Sequence, residues 1–331
     1  MMSRTIIPPY EALGPDLILD AVESQGWRCN GRFLALNSYE NRVYQIGIEE
    51  SPALVAKFYR PERWSDAAIL EEHAFAAELV EQEIPVIAPL ANAEGQTLHH
   101  FQGFRFALFR SAGGRHPELD RDERLEWVGR YLGRIHGVGR RHPFKHRQRL
   151  DVDSMAVGSY QFLLEQGFIP PELVLAYRTI AEDVVKSVKF RFDMVGPLRT
   201  FRLHGDCHAG NVLWTDDGPA IVDLDDCLTG PAVQDLWMLL AGDRDEMEHQ
   251  LSVLMRGYEQ FFEFDPIELL LIEALRTLRM MHYSAWLARR WHDPAFTTAF
   301  PWFNTPRYWE DQILALREQL AALDEPALRL L

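Results

Sequence analysis

Apolar and polar positions change period along the chain. Residues 15–25 (PDLILDAVESQ) carry a helical spacing that stops at Gly26. From Arg32 the period shortens to that of strands. Residues 33–36 and 42–46 predict two strands around the turn cluster Asn37-Ser38-Tyr39-Glu40-Asn41. Residues 54–59 predict a third strand with one cation inside it, Lys57. Ile69, Glu72, Ala76 and Leu79 then fall on one helical stripe, and that helix must stop before Pro85. Residues 104–109 alternate as a half-buried strand and run into Arg110-Ser111-Ala112-Gly113-Gly114-Arg115, the best linker in the chain.

Beyond that linker the pattern turns helical. Trp127, Val128, Tyr131, Leu132 and Ile135 form one stripe ending at His136-Gly137, where His136 reads as a capping or core histidine. The basic run 140–147 reads as a solvated loop, with a grip on an acidic partner as the alternative. Residues 201–226 (FRLHGDCHAGNVLWTDDGPAIVDLDD) predict loop, strand, tight turn and strand. Residues 234–240 read as the opening of an apolar helix, with two more helices over roughly 265–291 and 308–323. Trp286, Trp291, Trp302 and Trp309, with Asp293, Glu310 and Asp311, read either as core or as the lining of a substrate cleft. The expectation is therefore an α+β chain in two lobes. Residues 1–110 form a sheet with a helix, and residues 111–331 form a mainly helical lobe.

The hairpin of residues 201–226 carries the candidate chemistry. Asp206, then Asn211, then Asp223 after an apolar strand is the arrangement protein kinases use. In that arrangement the first Asp accepts the proton of the attacking hydroxyl, and the Asn and later Asp hold Mg²⁺ on nucleotide phosphates. Asp206 is thus the expected base, with Asp223 joining it in catalysis, and Asn211 and Asp223 are the expected metal ligands. Two plainer readings compete: a transition-metal cluster at His204, Asp206 and His208, and a solvated acidic turn. Glu72 interrupts an apolar stripe, where a charge needs a partner, and Lys57 on the neighbouring strand is the natural one. Such a strand-lysine, helix-glutamate pair positions nucleotide phosphates in kinases. Ser38 and Asn41 offer donors in a turn that has no glycine. Asp235 reads as a helix-start carboxylate or as a brace for the loop at 204–206.

Composition narrows the partners. Lys and Arg number 34 against 49 Asp and Glu, a net charge of −15, which argues against nucleic acid or an anionic membrane. Cys29, Cys207 and Cys227 form no CxxC pair and imply no disulfide framework. The opening MMSRTIIPPY has no apolar core of a signal peptide, and no later stretch reaches the ~18 apolar residues of a membrane span. The expected location is the cytoplasm.

HGDCHAGN followed by VDLDD resembles the aminoglycoside phosphotransferase and choline kinase superfamily, whose fold is similar to that of protein kinases. LNSYENRVYQ, KFYRPERW, HGDCHAGN, GPAVQDLWMLL and LARRWHDPAF together resemble the stress response kinase A family across nearly the whole chain. That resemblance implies an ATP- and Mg²⁺-dependent bacterial serine/threonine protein kinase of the stress response, cytoplasmic and monomeric. It implies Asp206 as proton acceptor, Asn211 and Asp223 as Mg²⁺ ligands, and Ser38 and Lys57 as ATP contacts. HGD stands where protein kinases have HRD, and VDLDD where they have DFG, so Asp225 and Asp226 compete with Asp223 for the metal. The alternatives are a small-molecule kinase acting on an amino alcohol or aminoglycoside, and a catalytically silent nucleotide-binding regulator.

Overall fold

The computed structural model describes residues 10–115, 119 and 121–331. The opening residues 1–9, and His116 at the end of the expected linker, lie outside them. Helix α1 (Pro15–Glu23) precedes strands β1 (Cys29–Ala35), β2 (Arg42–Ile48) and β3 (Ser51–Phe58), helix α2 (Asp66–Glu81), and strands β4 (His99–Phe101) and β5 (Phe104–Arg110). The five strands form one antiparallel sheet in the order β1-β2-β3-β5-β4.

Alternation along central β3 sorts its side chains. Leu54, Ala56 and Phe58 join Ile18, Ala21 and Val22 of α1 with Ile46, Phe104 and Phe106 in one apolar core. Lys57 points to the opposite face, where α2 lies, and is paired in register with Val43 and Ala107. The stripe predicted for α2 is buried throughout, Glu72 included. Ser65 caps the helix by accepting the Ala68 N–H. Phe75, Ala76 and Leu79 join the large core of the C-terminal part. The helix therefore belongs as much to that part as to the sheet.

The C-terminal part is mainly helical. It comprises α3 (Asp122–Gly139), a π turn (Asp153–Val157), α4 (Gly158–Glu165), α5 (Val174–Val195), α6 (Arg244–Tyr258), α7 (Ile272–Arg289), α8 (Pro294–Ala299) and α9 (Pro306–Ala322). Two small ribbons interrupt it, β6 (Phe201–Leu203) with β9 (Leu228–Gly230), and β7 (Val212–Thr215) with β8 (Gly218–Ile221). The expected hairpin is thus β7–β8. Helices α3 and α6 touch backbone to backbone. A Cβ at Gly129 would lie 2.1 Å from the Leu254 carbonyl oxygen, and one at Gly257 would lie 2.0 Å from that of Glu126. Among the described residues no helix is long and apolar enough to cross a membrane.

Three expectations need correction. Residues 234–240 form two 3₁₀ turns, Ala232–Asp235 and Trp237–Leu239, rather than an α-helix, because Gln234 and Asp235 are committed to bonds with the loop at 204–205. The basic run 140–147 is not simply a solvated loop, since Arg147 is buried. Trp309 is core, the first of its two readings. Asp293, rather than lining a cleft, is buried against Arg60 at 2.6 Å.

Candidate active site

Two clusters adjoin where the Val222 N–H donates to the Asn211 main-chain oxygen at 3.0 Å. The first is centred on Lys57. Its Nζ lies 2.9 Å from Asp225, 3.4 Å from Asp223 and 3.5 Å from Glu72. Burial works against the charge on Lys57, but Asp225, Glu72 and Asp223 outweigh it and hold the ammonium pKa well above its usual value. Glu72 also accepts from Arg147 at 3.0 Å. Arg147 further donates to the main-chain oxygens of Leu224 and Asp225, tying α2 to the segment after β8. Glu71 accepts the main-chain N–H groups of Lys145, His146 and Arg147, and Glu78 grips Arg202 of β6 with both oxygens. Three carboxylates on α2 thus fix the helix, and Lys57 with it, to the C-terminal part.

The three neighbouring aspartates differ in what they have left to offer. Asp225 is buried and shared between Lys57 and Arg63. Burial would raise its pKa, but those two cations overcome it and hold the carboxyl far below the ordinary range. Asp226 pairs with Arg63. Among the described residues Asp223 pairs only with Lys57, already divided among three acids, and 55% of its side chain is exposed. Its φ of 62° and ψ of 68° place it in the left-handed region, where aspartate is among the better-tolerated residues.

The second cluster is the loop after β6. Asn211 Nδ2 donates to the main-chain oxygen of Asp206 at 2.9 Å. A carbonyl can only accept, so the amide nitrogen must face it and Oδ1 is left free. The Asp206 carboxylate is half-buried, with the Arg279 guanidinium of α7 on Oδ1 and the His208 ring 3.5 Å from Oδ2. Burial would raise its pKa, but the His208 hydrogen bond and the Arg279 charge prevail and hold it well below the carboxylate range. Asp235 braces the loop from beneath. It accepts the N–H groups of His204 at 2.8 Å and Gly205 at 2.7 Å, and lies 3.1 Å from His136 Nε2. Gly205 has φ of 87°, and a Cβ there would meet the Asp226 oxygen at 2.3 Å, so only glycine fits this approach.

The transition-metal reading of His204 fails on geometry. Its Nδ1 accepts the Asp206 N–H at 3.3 Å and its Nε2 lies 2.9 Å from the Val222 oxygen, so both ring nitrogens are engaged by the chain. Among the described residues no group of three His, Cys, Asp or Glu side chains forms a metal site.

The sequence model of the phosphotransferase enzyme family matches residues 32–270. Stress response kinase A of Escherichia coli (strain K12) is 47% identical over 323 residues, 97% of either chain. The same identity and coverage hold for the serine/threonine protein kinase RdoA of Salmonella typhimurium. The chain belongs to the phosphotransferase enzyme family, among the stress response kinase A proteins. Solved structures share the fold at low identity. Amicoumacin kinase in complex with AMP-PNP, Ca²⁺ and Ami superposes with a TM-score of 0.71 at 19% identity, covering 92% of each chain. A microcompartment-associated aminopropanol kinase gives 0.68 at 17%, covering 94% of this chain and 99% of that one.

For a phosphotransferase of this family, the donor set fits a nucleotide with a hard divalent cation. Asn211 Oδ1 and the exposed Asp223 carboxylate are oxygen donors, and such cations keep several waters and need few protein ligands. The structure brings Lys57, Glu72 and Asp223 together, and joins Asp206 to Asn211. Ser38 stands apart. It is half-buried at the edge of an open cavity of about 480 Å³ between the β1–β2 turn and α8, shared with Tyr39, Arg42, Pro294 and Thr298. Among the described residues no hydrogen bond or ion pair joins it to the two clusters. The sequence reading gave Arg63, Arg147 and Arg279 no place in the site. Each is recognisable only by partners far away in the chain.

Proposed function

We propose that the protein is an ATP- and Mg²⁺-dependent serine/threonine protein kinase that acts in the cytoplasm, as a monomer, in a bacterial stress response. The observation that carries this reading is the Asp206–Asn211 pair adjoining the cluster of Lys57, Glu72 and Asp223. Asp206 orients the acceptor hydroxyl and takes its proton as the new oxygen–phosphorus bond forms and the bond from the γ-phosphorus to ADP breaks. A carboxylate with a depressed pKa is a weak base, which suffices here because phosphoryl transfer depends chiefly on position and charge neutralisation. Lys57, held by Glu72, steadies the nucleotide phosphates, and Ser38 supplies a donor from the β1–β2 turn. Asn211 Oδ1 and Asp223 would hold the metal. Asp223 is preferred over Asp225 and Asp226 because arginine already claims those two. Mg²⁺, when bound, neutralises negative charge developing on the phosphates.

The acceptor class rests on the 47%-identical relative that carries the name of a serine/threonine protein kinase. A second reading, a small-molecule kinase, draws on the fold shared with amicoumacin and aminopropanol kinases. A panel of acceptors with γ-labelled ATP separates the two. Label on serine or threonine of an added protein is the expected result. ATP consumed only on adding amino alcohols or aminoglycosides would replace the reading by the second. Bound but unconsumed ATP would leave a silent regulator.

A further inference from the structure

The acceptor side of Asp206 is cationic, although the chain as a whole is strongly acidic. Arg279 reaches Asp206 from α7, and 46% of its side chain remains exposed. Arg63, Arg279, Arg289 and Arg290 all bear on His282 of α7, and burial together with these four guanidinium groups pushes its pKa down to about 4. Arg63 and Arg290 are already matched by acids, Arg63 by Asp225 and Asp226, and Arg290 by Glu40 at 2.5 Å. Arg289 lies over the Phe162 ring. Arg279 differs from these three. The acid it holds is the one whose oxygen an acceptor hydroxyl must approach.

With the Arg279 guanidinium on one oxygen and the His208 ring beside the other, a hydroxyl approaching Asp206 competes with Arg279 for it. An acceptor that brings its own carboxylate offers Arg279 a replacement partner. A cationic acceptor offers none, and adds repulsion. One helical turn beyond Arg279 the exposed Tyr283 stacks on Trp286 at 5.6 Å, and Tyr39 reaches across from the β1–β2 turn to Phe300. Tyr283, close to both Tyr39 and Arg279, thus places an aromatic ring beside the cation.

Resting on the protein-kinase reading above, we propose that Arg279 is an acceptor-recognition residue that releases Asp206 to an acidic side chain beside the target hydroxyl, so that the substrates are serine or threonine segments with an acidic neighbour. This sets the protein against amino-alcohol and aminoglycoside acceptors, which carry the charge Arg279 repels.

The test uses the full chain and three peptides that differ only in carrying Asp, Ala or Lys beside one serine. Wild type should rank them Asp, Ala, Lys, with kcat/KM falling by up to about fivefold from first to last, the scale of one exposed charge contact. Arg279→Glu should invert the order of the Asp and Lys peptides. Arg279→Gln should flatten it, and Arg279→Lys should restore it in part. The ratio within one variant cancels any loss of folded protein. Peptides phosphorylated without a charge ranking, or a ranking unmoved by Arg279→Glu, would overturn this inference while leaving the kinase reading intact. Label appearing on amino alcohols and on no peptide would overturn both.

Discussion

The carboxylate of Asp235 accepts the main-chain N–H of Gly205 at 2.7 Å, beneath the loop that carries Asp206. Its second oxygen takes the His204 N–H, and the side chain is wholly buried. An amide at 235 would turn an N–H donor toward one of these donors. Asp235→Asn should therefore lower stability by about 2–4 kcal/mol. By letting the loop shift, it should also reduce kcat by up to about 100-fold. Thermal unfolding and steady-state kinetics check this, and a variant with normal kcat would remove Asp235 from the support of the base.

Lys57 holds three carboxylates apart, so its loss exposes each to the others. Lys57→Ala should raise KM for ATP by at least about tenfold. It should also cost on the order of 3–5 kcal/mol of stability, because buried acids lose their cation. Lys57→Arg separates the two effects, recovering stability better than nucleotide use because a planar fork does not replace a compact ammonium. Unchanged ATP kinetics in the alanine variant would take Lys57 out of the site.

Glu268 supports the segment that carries Asp235, accepting the Val233 N–H at 2.9 Å. Burial, only partly offset by that bond, pushes its pKa up to about 7. The native state therefore holds this proton more tightly than the unfolded chain. Its contribution to stability is complete below about pH 4.3, the unfolded value, and drains away as the pH climbs through the native one. Glu268→Gln keeps an acceptor for Val233 but cannot ionise. It should stabilise the protein by roughly 1–3 kcal/mol at about pH 8 and change little at about pH 4. Melting temperatures at the two pH values decide, and an equal shift at both would mean that Glu268 does not titrate as described.

Much of this geometry was open to a reader of the chain, and the physical reasons divide cleanly. The stripe Ile69, Glu72, Ala76 and Leu79 is a local pattern, and local patterns report burial, so the need of Glu72 for a cation was legible. The strands and the β7–β8 hairpin follow from alternation and turn chemistry in the same way. Arg147 was not legible, because a basic run looks solvated until Glu72, seventy-five positions away, is seen beside it. Arg279 stands seventy-three positions from Asp206, among other arginines on α7 that make no such contact. The expected helix at 234–240 failed because long-range bonds to residues 204–205 overrode an apolar pattern. Helices α5 and α6 passed unnoticed. The choice among Asp223, Asp225 and Asp226 turned on which of them arginines already held, a matter of three-dimensional pairing.

The central claim is that Asp206 serves transfer rather than nucleotide binding. The direct measurement compares wild type and Asp206→Asn for ATP affinity and for transfer of labelled phosphate to a protein acceptor in one preparation. Asparagine keeps the shape but cannot take the proton, so the expected result is ATP affinity within about threefold of wild type and transfer lowered by at least about 100-fold. Transfer at the wild-type rate by the asparagine variant would contradict the account.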